Sequence, residues 1–125
     1  MVKTLISTLI ACALIVAGSL FEGDFVQRQF QELNDVLVVL YEKVENETAT
    51  EADVLAMQDN WHDKKRFLHA FIPHNEIKEF DLWIGEAIIF VKNKEWSDAL
   101  SKIQVLLDLS TQVPKTFIVS FDNIL

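Results

Sequence analysis

From Thr4 to Phe21 the chain carries no charged residue; Lys3 precedes the run, and Glu22 and Asp24 follow it. Eighteen residues at helical rise span about 27 Å, near the hydrocarbon thickness of a bilayer. Ser7, Thr8 and Ser19 fit such a span because their hydroxyls can bond back to helix carbonyls. The pattern predicts a transmembrane anchor over residues 1–21, in contact with the lipid bilayer through residues 4–21. Lys3 before the run and acidic residues after it predict a single-pass cell-membrane protein with its N-terminus inside and its C-terminal domain outside. A cleaved signal peptide is the rival, since Ala17-Gly18-Ser19 offers small residues for cleavage, and the remainder would then be secreted. The run exceeds the usual signal core and its charged start holds only Lys3, which favours the anchor. Leu9-Ile10-Ala11-Cys12 superficially resembles a lipoprotein box, but mostly apolar residues follow Cys12 where a lipoprotein turns polar.

Beyond the run the apolar positions repeat with helical spacing. Val26, Phe30, Leu33, Leu37, Leu40 and Val44 recur at gaps of four and three, predicting a helix from about Phe25 to Asn46. Val36 and Val39 widen this stripe beyond a coiled-coil seam and favour a globular bundle. Gly23 is a weak break, so the helix can continue directly from the anchor. Thr50 with Asp53 resembles a capping box for a second helix running to about Phe71, with Val54, Met57, Trp61, Leu68 and Ile72 inside. Pro73 stops it, and Asn75 or His74 can cap the next. A third helix, about Glu76 to Asn93, places Ile77, Phe80, Ile84, Ala87, Ile88 and Val91 inside. A fourth, about Glu95 to Gln112, places Trp96, Ala99, Leu100, Ile103, Leu106 and Leu107 inside and is expected to end at Pro114. Short connections make neighbours antiparallel, so residues 22–125 read as an exported up-and-down helical bundle in an all-α fold. The closing residues Phe117, Ile118, Val119, Phe121, Ile124 and Leu125 are apolar for a terminus and predict a tail docked on the bundle.

Composition narrows the partners. Without Lys3, ten basic side chains face nineteen acidic ones, a charge that repels nucleic acid and anionic headgroups. The single cysteine lies in the anchor, so an exported domain has no disulfide and stands on packing. Three Gly and two Pro agree with long helices rather than a turn-dense β fold.

Trp61, Phe71-Ile72-Pro73-His74-Asn75-Glu76-Ile77, Ala99-Leu100 with Leu106-Leu107, and the final Asn123-Ile124 resemble a family of small bacterial membrane proteins, DUF4363, a domain of unknown function. The resemblance implies a short N-terminal anchor followed by a helical exported part, in Gram-positive, often spore-forming bacteria. It supplies no activity. Pro73 stands where an acidic residue more often precedes the histidine, and Lys78 where Asp is common, which weakens a metal or acid-cluster role for that junction.

Candidate chemistry is thin. His62 and His69 share a flank but lie about 10.5 Å apart along the helix, too far for two ligands that must each approach a metal to about 2 Å. Asp59-x-x-His62 is half of a di-metal motif at best, with Asp59 pointing outward. His74 beside Glu76 is a candidate pH-sensitive junction, although closing the turn after Pro73 is the simpler role. Glu42, Glu45, Glu47 and Glu51 read as a solvated helix end, and Asn46-Glu47-Thr48 as a chance glycosylation sequon. No nucleophile motif, metalloprotease motif or phosphate loop occurs, so neither an enzyme nor a cofactor is expected.

The third helix carries the candidate partner surface: Leu82, Trp83, Glu86, Ile89 and Phe90. Leu82 and Ile89 point opposite the inner face, while Trp83 and Phe90 form a neighbouring ridge. A helix apolar nearly all round needs cover on more than one side. Either Phe117, Val119 and Phe121 of the tail cover the ridge, or a protein partner or second copy does. The favoured function is therefore a membrane-anchored interaction or structural module. A ligand- or pH-sensing domain using the His62, His69 and His74 region is the alternative.

Overall fold

A computed structural model describes the backbone of residues 1–124 and the side chains of all of these except Ser19, Glu22 and 117–124. Four helices and no strand occur among the described residues: α1 Val2–Glu45, α2 Glu51–Leu68, α3 His74–Lys92 and α4 Trp96–Ile124.

The apolar run and the first amphipathic stripe form one helix of 44 residues, about 66 Å long. Gly23 does not interrupt it. The N-terminal stretch stands clear of the rest, with Leu5, Leu9, Leu14 and Leu20 exposed, and α1 is long and apolar enough to cross a membrane. From Val26 onward the same helix turns one face inward, and Val26, Phe30, Leu33, Leu37, Leu40 and Val44 are all buried. Of the two residues expected to widen the stripe, Val36 is half-buried and Val39 is exposed, because it falls on the flank that no neighbouring helix covers. Helix α1 packs on α2 and α4, and α3 packs on the same two, so the four alternate in direction around a shared core. Phe30, Trp61 and Phe80 fill its middle. The Trp61 and Phe80 rings stack at 4.6 Å, and Phe30 lies 5.6 Å from Phe80. Trp61 and Phe80 are fully buried and Phe30 nearly so, making this cluster a major part of the apolar burial that drives folding.

The helix ends show how turns form without glycine. After α1 the N–H of Glu47 bonds the Val44 carbonyl and that of Thr48 the Lys43 carbonyl, with Glu47 in the left-handed region at φ 58°. After α3 the pattern recurs: Lys94 bonds Val91, Glu95 bonds Phe90, and Lys94 has φ 59°. Both are Schellman closures built on residues that favour this conformation less than glycine does. Thr50 and Asp53 make the predicted capping box, each side chain accepting from the other's backbone N–H.

Three boundaries differ from expectation. Helix α2 ends at Leu68 rather than Phe71, because Ala70 and Phe71 tighten into bonds with Phe67 and Leu68 while Ile72 still reaches the core. Neither His74 nor Asn75 caps α3; Pro73 is the N-cap, without a side-chain bond, and its carbonyl accepts the first helical N–H groups. Helix α4 does not end at Pro114 but continues to Ile124. Proline fixes φ near the helical value but removes one donor and crowds the carbonyl one turn back, and burial of Val113 and Pro114 offsets that cost. The docking of the apolar side chains from Phe117 to Leu125 lies outside the described residues.

Candidate functional site

The outer face of α3 follows from its heptad-like spacing. Ile77, Phe80, Ile84, Ala87 and Val91 turn inward, which leaves Leu82 and Ile89 on the opposite side, each 57% exposed. Two turns separate them, about 10.5 Å. Gly85 lies between, and a Cβ there would meet nothing within 4 Å. A mid-helix glycine costs about 1 kcal/mol against alanine, and no internal contact here requires one. The stripe Leu82–Gly85–Ile89 is thus two apolar ridges flanking a dip.

Trp83, Glu86 and Phe90 belong to the flank facing α4. Lys102 places its Nζ 4.8 Å from the centre of the Trp83 ring and 3.3 Å from Glu86 Oε2, so one cation ties both residues to α4. The expected cover of this ridge by Phe117, Val119 and Phe121 lies outside the described residues. The five predicted surface residues therefore divide: Trp83 and Phe90 pack against the core, Glu86 is half-covered, and Leu82 with Ile89 remain open.

The histidines divide too. His69 and His74 bring their rings to 6.1 Å, nearly parallel, across the turn between α2 and α3. His62 is exposed about two turns before His69, on the side of Asp81. His74 begins α3 and Glu76 lies in its first turn, where a carboxylate suits the helix dipole. No ion pair joins His74 and Glu76, and no group of three metal-ligating side chains is assembled among the described residues.

Sequence reading missed the polar ties between helices. Asp81 on α3 accepts the indole N–H of buried Trp61 at 2.8 Å and Lys65 Nζ at 2.7 Å. Burial opposes its charge, but the bonds from Lys65 and Trp61 outweigh that and hold the carboxyl below its usual range. Lys64 is buried, and its Nζ meets Glu32 Oε2 at 2.6 Å and Gln29 Oε1 at 3.2 Å on α1. The Lys64 hydrogen bond holds Glu32 below the ordinary range. On the other side Asn34 donates to Ser110 Oγ at 2.8 Å, and Ser110 donates to the Leu107 carbonyl. One signal was available: Lys64 continues the inward series of Val54, Met57 and Trp61, so a charge at that position needs a partner.

These features define a small all-helical protein with a leading helix long and apolar enough to cross a membrane and a four-helix bundle built along its second half. The chain belongs to the DUF4363 family, a domain of unknown function, whose model matches residues 21–124. The match begins where the apolar run ends. No curated protein and no solved structure matches the chain.

Proposed function

We propose that this protein is a single-pass membrane-anchored, non-enzymatic interaction module, with its N-terminus inside, its bundle on the outer face of the cell membrane, and a protein partner bound by the exposed face of α3. The supporting observation is the pairing of Leu82 and Ile89, both 57% exposed, around a glycine that the bundle itself does not need. Full burial of a Leu or Ile side chain contributes about 1.5–3 kcal/mol, so covering the exposed parts of both contributes on the order of 2–3 kcal/mol. That corresponds to roughly a hundredfold in affinity. The acidic surface favours a neutral or cationic partner over nucleic acid.

The alternative, pH sensing, has the His69–His74 stack in its favour. Two protonated imidazoles 6 Å apart in water repel by only about 0.7 kcal/mol, too little to repack a bundle. The interaction reading is the stronger.

Cross-linking of the full-length protein in its native membrane tests it, with Ile89→Glu and Gly85→Ala compared with wild type. Ile89→Glu is expected to abolish one abundant cross-linked product while far-UV circular dichroism stays unchanged. Gly85→Ala should stabilise the bundle by about 1 kcal/mol yet weaken the same product. A product that survives both substitutions would refute the assignment of this face.

A further inference from the structure

At the end of the bundle nearest the apolar run, four phenylalanines from two helices and a turn cluster together. Phe21 stacks on Phe25 at 6.5 Å, and Phe25 meets Phe67 at 6.4 Å and Phe71 at 6.2 Å. Phe25 and Phe71 are half-buried, but Phe67 is 59% exposed and Phe21 67% exposed. Phe67 sits one residue before the end of α2, so it and the following turn form the end of the α2–α3 hairpin that faces the apolar run, beside α1.

The continuity of α1 fixes the height of this cluster. No hinge separates the apolar run from the bundle. With Thr4 at the inner edge of the hydrocarbon, Phe21 lies about 25 Å along the helix, about 5 Å short of the far edge of a roughly 30 Å core. Phe25 lies about 6 Å further, roughly 1.5 Å outside the hydrocarbon, at the inner side of a headgroup layer about 5–7 Å thick. The contact with Phe25 brings Phe67 to the same layer. Outside the ring, Asp24 and Arg28 are both exposed and pair at 2.7 Å, as suits a wet rim.

We propose that this phenylalanine collar is a second membrane contact: Phe67 and the α2–α3 turn dip into the headgroup–acyl boundary of the bilayer that the apolar run crosses. The inference rests on the anchor reading above. Its occupant is the lipid interface itself, because the collar is continuous with the apolar run and an exposed aromatic ring gains from that layer. Attraction to anionic lipid is not the driving force, since acidic residues outnumber basic ones in the chain. The collar braces α1 at two points and seats the bundle directly on the surface.

The test uses the full-length chain with Cys12→Ser, reconstituted in phosphatidylcholine vesicles, and one NBD-labelled cysteine placed by Phe67→Cys, Leu55→Cys or Leu9→Cys. Leu55 is twelve residues up the same helix, about 18 Å away, and 39% exposed. The label at 67 is expected to be severalfold less quenched by aqueous iodide than the label at 55, and to be quenched by lipid carrying a nitroxide near its headgroup. If 67 is as open to iodide as 55 while the label at 9 is shielded, the collar is overturned and the anchor stands. Iodide reaching the label at 9 would overturn the anchor reading, and the collar with it. Adding anionic lipid should leave the depth at 67 unchanged; deeper burial with anionic content would overturn the apolar basis of the contact.

Discussion

Replacing Asp81 by alanine attacks the bundle where one carboxylate holds two helices together. The substitution removes the acceptor of the Trp61 indole N–H, which belongs to a fully buried side chain. A buried donor left without a partner costs about 1–3 kcal/mol. It also removes the ion pair with Lys65, whose two side chains are about one-third exposed, and such a pair contributes at most about 1 kcal/mol after solvent screening. The sum is about 2–3 kcal/mol, or on the order of 10 °C in melting temperature for a bundle of this size. Asp81→Asn keeps an oxygen for the indole and loses only the charge, so it should lose about 1 kcal/mol or less. Thermal unfolding of the full-length protein in detergent micelles, followed by far-UV circular dichroism, separates the two variants. Trp61→Phe with Asp81→Ala completes a double-mutant cycle whose coupling isolates the buried hydrogen bond. Equal losses for Asp81→Asn and Asp81→Ala, or an Asp81→Ala variant that melts with wild type, would refute the account of Asp81 as the acceptor the core requires.

Acid should act through the same groups. Asp81, Asp53 and Glu32 all have depressed folded-state values, so their stabilisation is present above the unfolded range, about 3.9 for Asp and 4.3 for Glu, and is lost as pH falls through the folded values. Melting temperature is therefore expected to be level from pH 7 to about 5 and to fall below about pH 4, whereas a drop between 7 and 5 would revive the histidine-sensing alternative. At the closure of α3, Lys94→Gly should raise stability by about 1 kcal/mol, since φ 59° is strained for lysine and free for glycine. Lys94→Val should lower it, and urea unfolding that ranks valine above glycine would contradict the Schellman assignment.

The helices were legible because their apolar spacing encodes burial directly: the four-and-three series is buried from Val26 to Val44 and from Val54 to Ile72, whereas Val39, added at the edge of the α1 stripe, is 53% exposed. The capping box at Thr50 was legible for a related reason, since both bonding partners lie within one turn. What could not be read depends on partners distant in sequence. Asp81 looks like any helix-surface carboxylate until α2 brings Trp61 and Lys65 to it, and Asn34 gives no sign of Ser110 across the bundle. The left-handed turns at Glu47 and Lys94 were hidden because neither residue is glycine, and Pro114 signalled an ending that packing overrides. The surface residues Leu82 and Ile89 were legible by exclusion, whereas the phenylalanine collar was not, because Phe21 and Phe67 are far apart in the chain.

The two proposals constrain each other through α1. A helix that runs from the apolar segment into the bundle without a hinge transmits its orientation to everything packed on it. Helix α3 starts at the collar end, because the turn that holds Phe71 leads directly into His74. Leu82 then stands about 12 Å above that start and Ile89 about 22 Å, at helical rise. A partner able to cover both must work within that height of the bilayer, which suits a second membrane-attached chain with a short exported part better than a freely diffusing protein. If the collar holds the bundle upright, the α3 face is presented at a fixed distance and direction, and association is restricted to encounters within the membrane plane. Ordering the bundle before the encounter lowers the entropy lost on binding, so even two exposed apolar side chains can sustain a specific complex.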